Sequence, residues 1–132
     1  PGPFAPTRGL ERHLAEPAVY TYLAEDEAPF GFVTVGPATD LEHAGLGEVR
    51  EWFVSATYQQ RGYGRKLLVH GLTVLKRRMC DSALIWLPVE ANRPLDVLLK
   101  HGFKPYPAQR LVNVDELSSA EQAYLKDLSD YF

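Results

Sequence analysis

The sequence lacks two features that would mark a secreted or membrane-bound protein. It has one cysteine, Cys80, and no hydrophobic run long enough to cross a bilayer. One cysteine excludes an internal disulfide and argues against a metal cage built from cysteine thiolates. A transmembrane helix needs about 20 consecutive apolar residues, and no signal-peptide pattern is visible either. We therefore expect a cytoplasmic protein with no membrane partner.

The sequence also lacks an excess of positive charge. It contains 14 Lys and Arg residues against 17 Asp and Glu residues, which gives a formal net charge of −3. Because nucleic-acid-binding domains usually present a broadly basic face, we expect no nucleic-acid partner. A composition of 45% hydrophobic and 23% charged residues is that of an ordinary globular protein. The length suits a single domain over residues 1–132, with residues 1–6 expected to be flexible.

Runs rich in β-branched and aromatic residues predict five strands. They are Ala18–Leu23, Phe30–Val35, Glu48–Val54, Ala83–Val89 and Gln109–Val114. The first two are close enough along the chain to form a hairpin. The near-continuous apolar run ALIWLPV is typical of a central strand that is buried on both faces. Pro88 lacks a backbone donor, so pairing should fail near the end of that strand.

Helical spacing and capping residues predict four helices between and around these strands. They are Thr7–Glu16, Gly64–Arg78, Pro94–His101 and a final helix over residues 118–132. Asn92 is positioned to cap the third of these helices and Gly102 to end it. Ser118 and Glu121 have the spacing of a capping box. The order of elements predicts an α/β protein with a mixed sheet and helices on both faces.

The helix that follows the third strand begins without a capping side chain. Its start, in the segment YQQRGYGRK, instead holds three cations and two glycines: Arg61, Arg65, Lys66, Gly62 and Gly64. A helix N-terminus carries about +0.5 of an elementary charge and normally attracts acidic or capping residues. Cations are tolerable there if the free N–H groups bind an anion such as phosphate or pyrophosphate. The alternative is a surface helix whose cations are simply solvated.

The spacing Gln59-x-x-Gly62-x-Gly64 resembles motif A of the GNAT superfamily, the acetyl-CoA-dependent N-acyltransferases. It is neither a Walker loop, because no Gly-Lys-Ser/Thr follows, nor a dinucleotide fingerprint, because Leu67 replaces the third glycine. The segment EVREWFVSATYQQRGYGRKLL resembles the family's fourth strand, pyrophosphate loop and helix. The segment ALIWLPVEANRPLDVLLKHGF resembles its fifth strand, Asn-led helix and terminal Gly-Phe. The family's first strand and first long helix are missing here or reduced to Thr7–Glu16, which shortens the N-terminus.

The resemblance implies a sheet whose fourth and fifth strands splay apart around the pantetheine arm of acetyl-CoA. The residues that it assigns to the cofactor are Trp52, Phe53, Val54, Gln59, Gln60, Arg61, Gly62, Tyr63, Gly64, Arg65, Lys66 and Asn92. Backbone N–H groups near Trp52–Val54 would hold the arm and polarise the thioester carbonyl. No metal is expected, because the four histidines have no ligand spacing.

Acyl transfer to an amine calls for a general base, since a lysine-type amine of pKa about 10.4 is almost fully protonated at pH 7. Glu48 occupies the position of the catalytic glutamate in the histone-acetyltransferase branch of the family. Two other interpretations of Glu48 are a solvated carboxylate at a strand start and a partner of Arg50. Glu51, expected on the opposite face of the strand, and Glu90 are possible water-relayed substitutes. Leu98 stands where many members carry a tyrosine as general acid, and leucine cannot donate a proton.

The sequence therefore predicts an acetyl-CoA-dependent N-acetyltransferase. The acceptor would be a primary amine on a small molecule or a protein, attacking directly in a ternary complex. One alternative is an acyl-CoA binding or sensing module without turnover. Another is an interaction domain whose glycine loop binds a phosphorylated partner. A further alternative is a homodimer in which a second subunit supplies the first strand.

Overall fold

Seven strands and two α-helices make up the part of the chain that this computed structural model describes, residues 4–6, 18–115 and 117–131. The strands are β1 Phe4–Pro6, β2 Tyr20–Glu25, β3 Pro29–Pro37, β4 Gly47–Val54, β5 Ser82–Pro88, β6 Lys104–Val114 and β7 Leu117–Asp127. The helices are α1 Tyr63–Arg77 and α2 Asn92–Lys100, and short 3₁₀ turns cover Leu41–His43 and Ala56–Tyr58. The predicted helix Thr7–Glu16 lies outside the described residues. Neither described helix is long and apolar enough to cross a membrane.

All seven strands form one mixed sheet in the order β1-β2-β3-β4-β5-β7-β6. Strands β4 and β5 are parallel, whereas the other neighbouring pairs of the described sheet are antiparallel. The predicted α/β class and the β2–β3 hairpin are therefore confirmed. The expectation that the first strand is missing is corrected, because β1 pairs with β2 although it is only 3 residues long.

Strands β4 and β5 separate after a short stretch of pairing. Gly47, Glu48 and Val49 pair with Ala83, Leu84 and Ile85. Beyond this point β4 continues beside β3 as far as Val54, and β5 continues beside β7 as far as Pro88. The predicted splay is confirmed, but it begins directly after Ile85 and not at Pro88. The separation leaves one backbone edge of β4 without a strand partner in the described sheet.

The C-terminal segment is a strand, so the helix predicted over residues 118–132 is wrong. Strand β7 pairs with β6 along a hairpin and with β5 on its other edge. The two residues of the supposed capping box bond across the hairpin instead. Ser118 Oγ donates to Asn113 Oδ1 at 2.6 Å, and Glu121 Oε1 accepts from Arg110 Nε at 2.8 Å. The need of the buried strand β5 for a second partner overrides the local helix signal.

Helix α1 packs an apolar stripe against β3 and β4, with Leu67, Leu68, Leu72 and Leu75 buried. Gly71 allows this close approach. A Cβ atom at Gly71 would lie 2.9 Å from Val35 Cγ1 and 3.2 Å from Val33 Cγ2. The helix therefore covers one face of the sheet, which we call the α1 face and which includes the side chains of Val33 and Val35.

The opposite face of the sheet, which we call the distal face, follows from the strand register. Val35 is the register partner of Val49, and Val49 is that of Ile85, so these side chains share the α1 face. Because side chains alternate along a strand, the neighbouring residues Glu48, Leu84 and Trp86 project to the distal face. Glu48 thus lies on the distal face, one residue before Val49, which forms the last pair between β4 and β5.

We expect Gly71→Ala to lower the free energy of unfolding, although alanine is the better helix former. Alanine gains about 1 kcal/mol in helix propensity, whereas forcing a methyl group into a packed interface costs about 1–3 kcal/mol. Urea denaturation measures the difference. The control is Gly64→Ala in the same helix, where the nearest atom to a new Cβ is Trp52 Cζ2 at 3.7 Å. Equal stability of the two variants would contradict this account of the α1–β3 contact.

Candidate functional site

A cleft of about 540 Å³ lies beside the free edge of β4. Its walls come from the end of β4, the loop before α1 and the first turns of α2: Trp52, Phe53, Val54, Gln59, Gln60, Gly64, Arg93, Pro94, Asp96 and Val97. The structure thus brings together six of the predicted cofactor residues. From α2 the sequence assigned only Asn92 to the cofactor and missed the four residues that line the cleft, Arg93, Pro94, Asp96 and Val97.

The backbone of β4 presents alternate residues to the cleft. Ser55 N donates to Phe30 O at 2.8 Å, so the polar backbone groups of Ser55 point toward β3. Since successive residues of a strand point their N–H and C=O groups to opposite edges, those of Val54 and Trp52 face the cleft. The backbone of Phe53 faces β3 instead, and Phe53 contributes its side chain, which is 52% exposed. An extended ligand can therefore pair with β4 through the backbone of Trp52 and the N–H of Val54, whose carbonyl accepts from Gln59 Nε2.

The loop before α1 has the backbone conformation of an anion site. Gln60 has φ 64° and Gly62 has φ 86°, so two residues close together adopt left-handed backbone. Gly62 is the N-cap of α1, and its carbonyl accepts the Lys66 N–H at 3.1 Å. The first N–H groups of a helix have no partner within the helix. In such a turn they converge on a concavity that binds phosphate or another anion.

Two side-chain hydrogen bonds attach this loop to β4. Trp52 Nε1 donates to the carbonyl of Gly64 at 2.8 Å, and Gln59 Nε2 donates to the carbonyl of Val54 at 2.9 Å. The loop is therefore fixed relative to the free strand edge. A constant distance between the loop and the free edge of β4 allows one extended ligand to bind to both.

An aromatic cluster lies beneath the loop and carries two of its cations. The Phe30 ring stacks on Tyr58 with centroids 3.9 Å apart and meets the edge of Tyr63 at 4.7 Å. The Arg61 guanidinium lies 5.5 Å from the Tyr58 ring centre, and Lys66 Nζ lies 5.7 Å from that of Tyr63. These cation–π contacts position the positive charges without neutralising them. The charges remain available to an anion bound at the loop.

Arg93, in the first turn of α2, reaches across to the loop before α1. With the Gln60 amide oriented to satisfy its hydrogen bonds, Gln60 Oε1 accepts from both terminal nitrogens of Arg93, from Nη2 at 2.9 Å. The contact bridges two walls of the cleft. Arg93 is a cation in the first turn of α2, and cations also occupy the start of α1, where acidic or capping residues are usual. That shared pattern could have identified Arg93 from the sequence.

The predicted capping role of Asn92 is wrong. Ala91 is the N-cap of α2 and makes no side-chain cap hydrogen bond, and Asn92 is the first helical residue. Asn92 is also not one of the residues that line the cleft. The predicted end of α2 is confirmed, since Gly102, which has φ 86°, directly follows the C-cap residue His101. The remaining predicted residues sit in the loop and the first turn of α1: Arg61, Gly62, Tyr63, Arg65 and Lys66.

Glu48 is a buried carboxylate with a defined partner. It is 3% exposed, and its Oε1 accepts from Thr39 N at 2.9 Å and from Thr39 Oγ1 at 3.2 Å. The interpretation as a solvated strand-start carboxylate is therefore wrong. Within the part of the chain that the structure describes, nothing bonds to Oε2, which leaves that oxygen for a ligand.

Glu51 shares the face of Glu48, contrary to the sequence expectation. The register shifts between Thr34 and Val35, so that Thr34 pairs with Glu51 while Val35 pairs with Val49. One extra residue in β4, a β-bulge, reverses the alternation. Both carboxylates therefore project to the distal face, and Glu90 is exposed beyond the end of β5.

Leu98, at the position of the family's tyrosine acid, is fully buried in the core. His70 of α1 lies on the opposite side of the sheet from Glu48, and its ring centroid is 4.3 Å from that of Tyr22. Burial, and after it the nearby charge of Arg77, lowers the pKa of His70 below 6.5.

Among residues 4–6, 18–115 and 117–131, no three His, Cys, Asp or Glu side chains are grouped so as to hold a metal.

The lowered pKa of His70 predicts how stability depends on pH. The unfolded chain protonates this histidine near its ordinary value of 6.5, whereas the folded protein resists protonation. Below that pH the unfolded state binds more protons, so the free energy of unfolding should fall as the pH drops. His70→Gln should reduce that dependence between pH 7 and pH 5, measured by urea unfolding. An unchanged slope in His70→Gln, with His101→Gln as control, would contradict the assignment.

Residues 3–103 match the model of the acetyltransferase (GNAT) family. Among curated proteins, no sequence matches this chain closely enough to count as a relative. The sequence comparison therefore covers the segment from β1 through α2 but says nothing of the β6–β7 hairpin.

Several solved structures share the fold. A GNAT family acetyltransferase from Elizabethkingia anophelis with acetyl-CoA bound is 17% identical, with a TM-score of 0.72 over 95% of this chain and 97% of that one. A ribosomal-protein-alanine N-acetyltransferase from Brucella melitensis is 16% identical, with a TM-score of 0.75 over 90% of this chain and 74% of that one. A Bacillus subtilis acetyltransferase in complex with CoA is 14% identical, with a TM-score of 0.68, and covers 93% of this chain and 86% of that one. At these identities the similarity concerns the fold.

Proposed function

We propose, since this chain belongs to the acetyltransferase (GNAT) family, that it is an acetyl-CoA-dependent N-acetyltransferase. An acetyl group would pass from acetyl-CoA to a primary amine by direct attack within a ternary complex. The observation that carries the proposal is the free edge of β4 beside an anion-binding loop, both lining one cleft.

The residues of the cleft fit acetyl-CoA as a substrate. The pyrophosphate would take the N–H groups and cations at the start of α1. The amide groups of the pantetheine arm would pair with the cleft-facing backbone of Trp52 and Val54. A backbone N–H at this edge can also bond the thioester carbonyl oxygen, where negative charge develops as the amine attacks. A structure with acetyl-CoA bound in the same fold supports this arrangement.

Glu48 is the proposed general base. As the amine nitrogen attacks the carbonyl carbon, the nitrogen must lose a proton, and the free Oε2 of Glu48 can accept it. Thr39 holds Oε1 through two hydrogen bonds and so fixes the orientation of the carboxylate. Glu48 lies on the distal face next to the point where β4 and β5 separate, on the side of the sheet that α1 does not cover, which supports this role.

We expect Gly62→Ala to weaken the binding of acetyl-CoA. Gly62 has φ 86°, and apart from its chain neighbours no atom of the described residues lies within 4 Å of the position that an added methyl group would take, so alanine meets strain and not a clash. Left-handed backbone costs a non-glycine residue about 1–2 kcal/mol, which the loop relieves by giving up its anion-binding conformation. Isothermal titration calorimetry measures the affinity.

The matched control is Gly45→Ala in the loop between β3 and β4. Gly45 has φ +94°, and in the described part of the chain a methyl group there would likewise meet no atom within 4 Å beyond its chain neighbours, so the backbone cost is alike. Gly45→Ala should lower thermal stability while leaving the affinity for acetyl-CoA unchanged. Equal affinities for the Gly62 and Gly45 variants would mean that the loop is not the phosphate site.

The burial of Leu98 favours a second candidate function, an acyl-CoA binding or sensing module without turnover, because no proton donor occupies that position. A panel of small amines, lysine peptides and peptides with N-terminal alanine separates the two. With acetyl-CoA in excess, the enzyme should release free CoA only when a suitable amine is present. Tight binding of acetyl-CoA without CoA release for any amine would favour the binding module.

A further inference from the structure

A second group of functional side chains lies on the distal face, next to the point where β4 and β5 separate. Trp86 is the first residue of β5 beyond the last β4–β5 pair. The His43 ring meets the Trp86 ring edge-on with centroids 6.0 Å apart, and it meets Tyr106 of β6 at 5.4 Å. His43 thus packs against the first residue of β5 beyond the point where β4 and β5 stop pairing.

A carboxylate fixes the orientation of the His43 ring. Asp40 Oδ1 lies 2.5 Å from His43 Nδ1 and also accepts the backbone N–H of His43 at 2.9 Å. An ionised carboxylate can only accept, so Nδ1 carries the hydrogen of this bond. Nε2 is then the ring atom available for proton exchange, and no atom of the described residues bonds to it. His43 keeps 7% of its surface exposed.

The turn that carries His43 is attached to the proposed base. Thr39, which bonds twice to Glu48, directly precedes Asp40 in the chain. The hydrogen bond from Ala38 N to Leu46 O, 2.9 Å long, closes the loop at its base. Glu48 and His43 are therefore held by one short loop on the same face of the sheet.

The walls around His43 include a buried donor and a pair of charges. Trp86 Nε1 is buried and has no acceptor among the described residues. The Arg110 guanidinium lies 4.3 Å from the Trp86 ring centre and bonds to Glu121. A buried donor without an acceptor and a ring nitrogen without a partner, on two rings whose centroids are 6.0 Å apart, are what a site for a polar ligand group presents.

We propose that His43, oriented by Asp40, donates the proton that the CoA sulfur takes up when the acetyl group leaves. The proposal rests on the proposed acetyl transfer. In that reaction the N–C bond forms and the C–S bond breaks, and the electron pair of the C–S bond goes to sulfur. The amine proton passes to Glu48, and sulfur takes a proton from His43 Nε2; both residues then exchange protons with water. His43 thereby fills the role that Leu98 leaves open.

The test is the pH profile of kcat for His43→Gln with a saturating amine. Loss of a general acid should lower kcat by about 10²-fold, the lower end for such catalysis. The KM for acetyl-CoA should not change. The wild-type profile should fall at high pH as His43 loses its proton, and that falling limb should vanish in the variant. The titratable and charged groups that face His43 or share its surroundings are Asp40, Glu48, Tyr106, Arg110 and Glu121.

The matched control is His70→Gln, which makes the same substitution on the α1 face and should retain the falling limb. If His43→Gln does not fold, Asp40→Asn preserves an acceptor for both bonds from His43 and should shift the midpoint of the falling limb. A falling limb that is the same in wild type and the His43 variant, or the same in wild type and Asp40→Asn, overturns the proposal while acetyl transfer stands. Absence of turnover by the wild type would instead refute the proposed function.

Discussion

Glu48→Gln should lower kcat by about 10²–10³-fold at neutral pH, as expected for the loss of a positioned base. Glutamine retains an oxygen that can accept both hydrogen bonds from Thr39, so the loop should remain in place. Fold and affinity for acetyl-CoA are therefore expected to stay at wild-type values. The deficit should shrink as the pH rises, because the amine then loses its proton without help. Steady-state kinetics across pH, with a circular dichroism melt of each variant, measures all of these.

Two controls separate the chemistry of Glu48 from its structural contact. Thr39→Val removes one of the two hydrogen bonds to Oε1 and leaves the carboxylate, so activity should fall much less than in Glu48→Gln. Glu51→Gln removes the other carboxylate that the bulge brings to the distal face. Wild-type activity in Glu48→Gln together with a large loss in Glu51→Gln would transfer the role of base to Glu51.

Reversing the three charges at the start of α1, as Arg61→Glu, Arg65→Glu and Lys66→Glu together, should abolish the binding of acetyl-CoA. A hydrogen bond to a charged group contributes about 1.5–3 kcal/mol, so losing two phosphate contacts weakens Kd by at least about 10²-fold. Stability should not fall in parallel, since acidic residues are favourable at a helix N-terminus. Calorimetry and urea denaturation of the triple variant measure the two quantities separately.

The opposite end of the same helix offers a control with an identical change in net charge. Lys76→Glu, Arg77→Glu and Arg78→Glu place the reversed charges at the C-terminal end of α1, far along the helix from the glycine loop. This variant should be less stable, because anions are unfavourable at a helix C-terminus, yet it should bind acetyl-CoA at low salt nearly as well as wild type. Equal loss of affinity in both triple variants would mean that long-range charge and not the loop governs binding.

The segment from β4 through α1 could be predicted from the sequence because its signals are local. Strand residues, two glycines and three cations follow one another within a short stretch, and each constrains the backbone of its immediate neighbours. The structure places Gly62 at the N-cap with positive φ, as such a turn requires. The end of α2 at Gly102 was predictable for the same reason.

The parts that sequence reasoning missed depend on contacts between distant segments. Residues 121–127 pair with β5, a strand far earlier in the chain, and residues 117–120 pair with β6, so strand pairing overrides the capping-box pattern of Ser118 and Glu121. The bulge that brings Glu51 to the distal face depends on β3. His43 is one of four histidines without ligand spacing, and it gains its aromatic neighbours Trp86 and Tyr106 only through the approach of β5 and β6.

Mass spectrometry of one reaction mixture tests the central claim most directly. The protein is incubated with acetyl-CoA alone and then with an accepted amine, and the masses of protein, amine and CoA are recorded together. Direct transfer predicts an unmodified protein at every time, an N-acetylated amine, and one free CoA for each product formed. A protein that carries the acetyl group before the amine is added and then passes it on, or acetyl-CoA that stays intact with every amine, would contradict the account.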